Sequence, residues 1–338
     1  MKINNEFFMN LAIDEAWKYQ FLTYPNPAVG CVVVKGEGEI LSIEAHKEAG
    51  MPHAEVNALK AAYLKYYPND LLKIISDPFK IHEYLIKNHN GFFNDCTVFV
   101  TLEPCNHVGK TPSCANLIKE LKPKKVVVAH KDLNKAASGG CETLKSHNID
   151  IELGCMKKEA YELLYPFLKW NSGTFIFYKM AQTLNGCIDG SISSNQAKAY
   201  VHSLRDKIDL MLIGGNTVRN DKPTLDARFI AGNAPDVMIY SKNKIFDKKI
   251  PLFHVPNRKV FISDDLFKLL DYKFIMVEGT YNLLDALKEK LDYIVLIINP
   301  KIRKGINALN NLDIDIDFEI VHENYIGEEK LLFLKRKD

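Results

Sequence analysis

Two short stretches, His53-Ala54-Glu55 and Cys105-Asn106-His107-Val108-Gly109-Lys110-Thr111-Pro112-Ser113-Cys114, constrain this chain more than any other part of it. They supply the imidazole of His53 and the thiols of Cys105 and Cys114, and a fold that uses them has to bring both stretches to one point. Three protein ligands around a zinc ion leave a fourth position for water, which separates a catalytic site from a closed structural one. Glu55 lies two residues from the imidazole and is free to move protons to and from that water. This is equipment for hydrolytic removal of an amino group from an amidine-like ring carbon.

Local signals place these residues at element ends. Pro52 stops the chain just before His53, so His53 and Glu55 are expected in the first turn of a helix reaching Tyr66. Thr111 as N-cap with Pro112 at the first helical position puts Cys114 in the first turn of another. Cys105 follows the strand end Thr101-Leu102-Glu103-Pro104. Helix N-termini carry positive partial charge and favour the thiolates a zinc needs. The expected metal ligands are therefore His53, Cys105 and Cys114, with Glu55 as the catalytic acid and base.

Composition narrows the partners. The chain has 338 residues, long for one core, so two domains are expected. Its 44 basic and 42 acidic residues leave a net charge of +2, no field for holding a nucleic acid. Seven cysteines, not spaced as a disulfide framework, fit a reducing cytoplasm. With no charged-then-apolar leader and no long apolar run, neither secretion nor membrane insertion is expected.

Hydrophobic periodicity predicts an α/β protein in two halves. A helix from Glu6 to Phe21 precedes a hairpin, Val29 to Val34 with Ile40 to Ile43, and the helix from His53. Strands at 96–101, 125–130 and 149–153 alternate with helices at 112–121 and 138–146, giving a mixed sheet covered on both faces. Residues 68–95 carry a helical pattern of their own and read as an insertion. A zinc-dependent deaminase domain over 1–155, a connecting helix over 156–172 and a second α/β domain over 173–338 follow. In that second half strands are expected from Thr174 and at 210–213, 236–240, 259–262, 274–277 and 293–298, with helices at 195–205 and 282–291.

The nine-position step from Cys105 to Cys114 departs from the common P-C-x-x-C zinc signature of deaminases. Together with Pro25-Asn26-Pro27-Ala28-Val29-Gly30, His46, H-A-E and T-L-E-P-C-x-H-x-G-K-T-P-x-C, it resembles the bifunctional deaminase/reductase of riboflavin biosynthesis. An isolated histidine and two cysteines would leave a structural zinc open; Glu55 and these flanking motifs argue against it. The resemblance implies a cytidine-deaminase-like fold for the first half and a phosphoribosyl diaminopyrimidinone substrate. It also implies that Asn26, His46, His107 and Lys110 line the substrate pocket.

In the second half the residues alone suggest a nucleotide site only weakly, through Gly214-Gly215-Asn216-Thr217 after a strand. The same family's reductase half is resembled by Lys179-Met180-Ala181-Gln182-Thr183-Leu184-Asn185-Gly186, by His202-Ser203-Leu204-Arg205, by Thr217-Val218-Arg219-Asn220-Asp221, by Pro223 to Arg228 and by Val277-Glu278-Gly279. This implies a dihydrofolate-reductase-like fold, NADPH as cofactor, and reduction of the opened ribose to a ribityl chain. Lys179, Arg205, Leu225, Arg228 and Glu278 would hold the sugar phosphate, and Gln182, Thr217, Asp221, Ser241 and Thr280 the NADPH. A homo-oligomer formed through this half is also expected.

Four departures stand out: Asn185 where the family pattern has Asp, a short 187–194 segment without its Trp, Thr280 in place of a second glycine, and Asp132-Leu133-Asn134-Lys135 in place of D-P-N-P. Apart from Asn185, none removes a charged group, and an active reductase is expected. The alternative is a deaminase whose second half is degenerate or serves only in dimer formation.

Overall fold

The computed structural model describes residues 4–134, 137–279, 282–306 and 315–337, and the chain forms two compact units, Met1–Phe167 and Leu168–Asp338. The division falls inside a helix, next to Pro166, which has no N–H to give the helical ladder.

In the first unit, α1 (Asn5–Trp17) starts one residue earlier than expected, because Asn4 is its N-cap and accepts a hydrogen bond from the Phe7 amide. It buries Phe8, Ala12 and Trp17 against the sheet. The contact needs a glycine: a Cβ on Gly30 would stand 1.8 Å from the Ala12 carbonyl oxygen. From Gly30 begins β1 (Gly30–Lys35), paired antiparallel with β2 (Glu39–Ala45). The chain continues through α2 (Ala54–Tyr66), α3 (Pro78–Asn88), β3 (Cys96–Leu102), α4 (Cys114–Leu121), β4 (Lys125–His130), α5 (Gly140–Ser146), β5 (Asp150–Leu153) and α6 (Lys157–Ser172).

The sheet order is β2-β1-β3-β4-β5, with β3, β4 and β5 parallel. Strand β3 is buried on both faces and has partners on each. Phe99 packs on Phe8 of α1 with ring centroids 5.1 Å apart, while Val98 and Val100 join Leu59 of α2 and Leu117 and Ile118 of α4. The 68–95 insertion is helical as expected, a 3₁₀ turn over Leu71–Ile74 followed by α3. It is no mere surface excursion, since Leu72, Ile81, Leu85 and Phe93 complete the core beneath α2 and α4.

The second unit holds β6 (Phe175–Thr183), α7 (Asn195–Lys207), β7 (Leu210–Gly214), α8 (Gly215–Asp221), β8 (Asp236–Tyr240), β9 (Val260–Ser263), β10 (Phe274–Glu278), α9 (Asn282–Leu287), β11 (Tyr293–Asn299), β12 (Phe318–Ile326) and β13 (Glu329–Arg336). The sheet order among the described residues is β12-β13-β11-β6-β10-β7-β8-β9. From β11 to β9 the strands are parallel, and the apolar runs of the inner strands β6, β10 and β7 are largely buried on both faces, as parallel strands require, while the edge strand β9 is only partly buried. Two strands were not expected. The partly exposed β12 and its antiparallel partner β13 form a C-terminal hairpin at the sheet's edge. Because β10 inserts between β6 and β7, the C-terminal ends of these three strands frame a crevice, the usual ligand position in open parallel sheets.

Candidate active sites

The first site is assembled at two helix starts. His53 is the N-cap of α2 rather than part of its first turn, and Glu55 is the second helical residue. Cys114 is the first residue of α4. Its N-cap is Ser113, not Thr111: the Ser113 hydroxyl accepts from the Asn116 amide and donates to the Cys105 carbonyl at 2.9 Å. Thr111 has another task. Its Oγ1 lies 3.1 Å from His53 Nε2, on the far side of the ring from the thiols.

His53 Nδ1 stands 3.6 Å from Cys105 Sγ and 3.4 Å from Cys114 Sγ, and the three donor atoms lie within 4.8 Å of one another. Zinc bonded to sulfur at about 2.3 Å and to nitrogen at about 2.05 Å sets tetrahedral N···S separations near 3.6 Å. The donor set therefore fits a zinc ion in type and in spacing. With Nδ1 facing the thiols, Nε2 carries the proton and donates to Thr111, which fixes the tautomer. The Cys114 amide lies 3.4 Å from Cys105 Sγ, so α4 begins by supporting the thiolate next to it. The hydrogen bond between the two thiols pulls Cys105 well below the ordinary thiol range and pushes Cys114 up.

Glu55 is buried, 4% exposed, and burial with the Cys105 charge nearby pushes its carboxyl up to about 7. His46 is pushed down to about 4 by burial, so its ring is neutral near pH 7. Nδ1–H then donates to the Pro52 carbonyl, and Nε2 accepts from Asn26 Nδ2, each at 3.1 Å. The His46 ring meets the His53 ring edge-on, centroids 5.3 Å apart, so Asn26 and His46 adjoin the metal ligands. His107 and Lys110 are exposed on the loop between the two cysteines. Sequence reasoning quoted Glu103 in the T-L-E-P-C motif without giving it a role. The carboxylate is buried and accepts the amides of Asp132, Gly139 and Cys141, tying the end of β3 to the 132–141 segment.

The second site is a cavity of about 430 Å³ at the crevice of the second sheet, lined in part by Lys179, Arg205, Thr217, Asp221, Leu225 and Glu278. Glu278 accepts from Arg205 Nη2 at both carboxylate oxygens, 3.1 and 2.8 Å, and lies 3.8 Å from Lys179 Nζ. Burial pushes Glu278 up, but Arg205 and Lys179 outweigh it and hold the carboxyl below its usual range. Leu225 sits in the left-handed region at φ 55°. Its carbonyl and those of Thr224 and Leu252 are taken by the guanidinium of Arg258, a wall support that sequence reasoning missed.

Residues 2–130 match the family profile of the cytidine and deoxycytidylate deaminase zinc-binding region, and residues 174–303 match the RibD C-terminal domain. Riboflavin biosynthesis protein RibD of Aquifex aeolicus is 31% identical over 97% of this chain and 98% of its own length. The chain belongs to the RibD family. The Escherichia coli RibD is 32% identical over 67% of this chain and 57% of its own. The solved diaminohydroxyphosphoribosylaminopyrimidine deaminase/5-amino-6-(5-phosphoribosylamino)uracil reductase of Thermotoga maritima is 27% identical, with a TM-score of 0.66 over 98% of both chains. Acinetobacter baumannii RibD, 24% identical, shares the fold with a TM-score of 0.65 over 98% of this chain and 99% of its own.

As a RibD, the chain is a bifunctional enzyme of riboflavin biosynthesis, a zinc-dependent deaminase joined to an NADPH-dependent reductase. Among the described residues no helix is long and apolar enough to cross a membrane. Of the residues expected at the RibD reductase site, Lys179, Arg205, Thr217, Asp221, Leu225 and Glu278 come together at the cavity. Gly279, at φ 146°, also lines it, and a Cβ there would meet Thr217 Oγ1 at 3.4 Å. This close approach of bare backbone suits a dinucleotide.

Gln182, Ser241 and Arg228 are not part of the lining. Ser241 packs against Gly215, where a Cβ would stand 2.6 Å from its hydroxyl oxygen, so that glycine of the Gly214-Gly215 turn serves packing. Arg228 is 59% exposed at its side chain, with Nε 3.1 Å from Asp226. Thr280 lies outside the described residues. The Asn185 departure has a local reason. Its Nδ2 donates to the Arg303 carbonyl while its Oδ1 accepts the Arg303 amide, a two-way pairing an ionised aspartate cannot make.

Proposed function

We propose that this chain performs two successive steps on one small molecule. The first converts 2,5-diamino-6-(5-phosphoribosylamino)pyrimidin-4-one and water to the 5-amino-uracil derivative and ammonia. The second uses NADPH to reduce the ribosyl chain of that product to ribityl. The observation that carries the reading is the convergence of His53 Nδ1 with two cysteine sulfurs beside a buried Glu55.

His53, Cys105 and Cys114 hold the zinc, and Thr111 fixes the His53 ring. Zinc bound there acidifies water at its open position. Glu55, its pKa poised at about 7, takes a proton from the attacking water and returns it to the departing amino nitrogen. Asn26 and His46 form one edge of the pyrimidine pocket, and His107 and Lys110 close over it from the loop. In the second unit Thr217, Asp221 and Gly279 face NADPH, and the family resemblance assigns Gln182, Ser241 and Thr280 to the same cofactor. The Lys179–Glu278–Arg205 group, Leu225 and Arg228 hold the sugar phosphate. NADPH supplies the hydride. The enzyme works in the cytoplasm as a homo-oligomer joined through the reductase unit, whose edge strand β12 leaves Ile320 and Tyr325 exposed.

A coupled assay tests the reading. The full chain should release ammonia from the diaminopyrimidinone and then oxidise NADPH with the product. Ammonia release without NADPH oxidation would favour the deaminase-only alternative.

A further inference from the structure

Helix α7 holds the segment that carries Arg228 at three points. His202, Arg205 and Asp206 stand at positions i, i+3 and i+4, so they share one face of the helix. Arg205 Nη1 donates to the Asp226 carbonyl at 3.2 Å, His202 Nδ1 accepts the Phe229 amide at 3.4 Å, and Asp206 Oδ1 accepts the Asn233 amide at 2.7 Å. His202 meets the 3₁₀ turn Arg228–Ile230 itself, between the other two points. That turn buries none of its residues, and Phe229 is 57% exposed, so core packing does little to hold it.

The chemistry of His202 suits the task. It is buried, 6% exposed, at the wall of the reductase cavity. Burial and the neighbouring Arg205 push it down to about 4, so near pH 7 the ring is neutral and has one lone pair to offer. The Phe229 amide points at Nδ1, which places the lone pair there and the proton on Nε2. Arg205 Nη1 lies 3.5 Å from Nε2 but does not need it, having the Asp226 carbonyl. The Phe229 ring meets the imidazole edge-on, centroids 4.5 Å apart, so the residue after Arg228 is held by backbone and side chain alike. The ion pair of Arg228 with Asp226 is exposed on the arginine side and does little to fix a long side chain. The placing of that guanidinium therefore falls to the turn.

We infer that His202 is a positioning residue of the reductase: by accepting the Phe229 amide it fixes the turn Arg228–Ile230 on α7 and so sets where Arg228 meets the sugar phosphate. The inference rests on the reductase reading above, in which Arg228 holds that phosphate. The test is a double-mutant cycle on the full chain, read as KM for the phosphoribosylamino-uracil at saturating NADPH. His202→Phe keeps a ring against Phe229 and removes the acceptor. KM should rise about three- to tenfold, the loss of one hydrogen bond, with the KM for NADPH unchanged. His202→Asn, which returns an acceptor, should recover most of the loss, and His202→Leu carries the same cycle should the phenylalanine variant not fold. In an Arg228→Ala background His202→Phe should raise KM no further, because no guanidinium is left to place. The same rise in both backgrounds, or no rise in either, overturns the assignment and leaves His202 a packing residue. A wild-type KM in Arg228→Ala alone would show instead that the phosphate reading of Arg228 has failed, a result distinct from an additive cycle.

Discussion

The two sites hold their charged groups in opposite ways. Around His53 the imidazole and both thiols converge on one point, and their neighbours hold them there: Thr111 behind the ring, the Cys114 amide on the Cys105 sulfur. Around Glu278 the charges answer one another, with Arg205 and Lys179 both engaged by a single buried carboxylate. Buried ions are costly unless paired, so a site completed by a cofactor leaves donors converging, whereas a site for a transient substrate is paired internally until it is used.

The contrast breaks most visibly at the metal. Cys114→Ala should leave the chain with almost no bound zinc by metal analysis and no measurable ammonia release. Retention of both would mean that the convergence around His53 is packing alone. On the other side, Glu278→Ala leaves Arg205 and Lys179 buried without their anion. Thermal unfolding should show the second unit destabilised by about 3 kcal/mol. Because the folded Glu278 pKa is depressed, the pair contributes fully above the ordinary carboxylate range and is lost as pH falls through the folded value. Wild-type stability attributable to it should therefore be level from neutrality to about pH 5 and decline below about pH 4. A variant as stable as wild type at pH 7 would remove the distinction between the sites. The smallest effect sharpens it: Thr111→Val should weaken zinc affinity about ten- to a hundredfold while leaving the ion bound at saturating metal. An unchanged affinity would deny Thr111 its hold on the His53 ring.

Much of this was legible in the sequence, for identifiable reasons. His53, Cys105 and Cys114 are residue types with one chemical use in common, and each stands at a helix start or strand end that local signals mark. Glu55 followed from its distance to His53. Thr111 did not, because capping is a local rule and the contact with His53 spans the fold; Ser113 took the cap instead. The reductase cations could be named, but their engagement could not: Arg205 and Glu278 are far apart in sequence and meet only when β10 inserts beside β7. Likewise the support of Leu225 by Arg258 depends on where β9 begins. The C-terminal hairpin is harder to read because β12 is an edge strand whose apolar residues Phe318, Ile320, Val321, Tyr325 and Ile326 do not alternate strictly with its polar ones.

One chain houses two independent chemistries, and Glu55 serves only the first. The most direct test is the coupled assay on the full chain carrying Glu55→Gln. Ammonia release should fall by roughly 10² to 10⁴ or more, the range of a lost general acid–base group, with zinc retained. NADPH oxidation with the deaminated intermediate should proceed at the wild-type rate. Undiminished ammonia release, or loss of both activities together, would contradict the account.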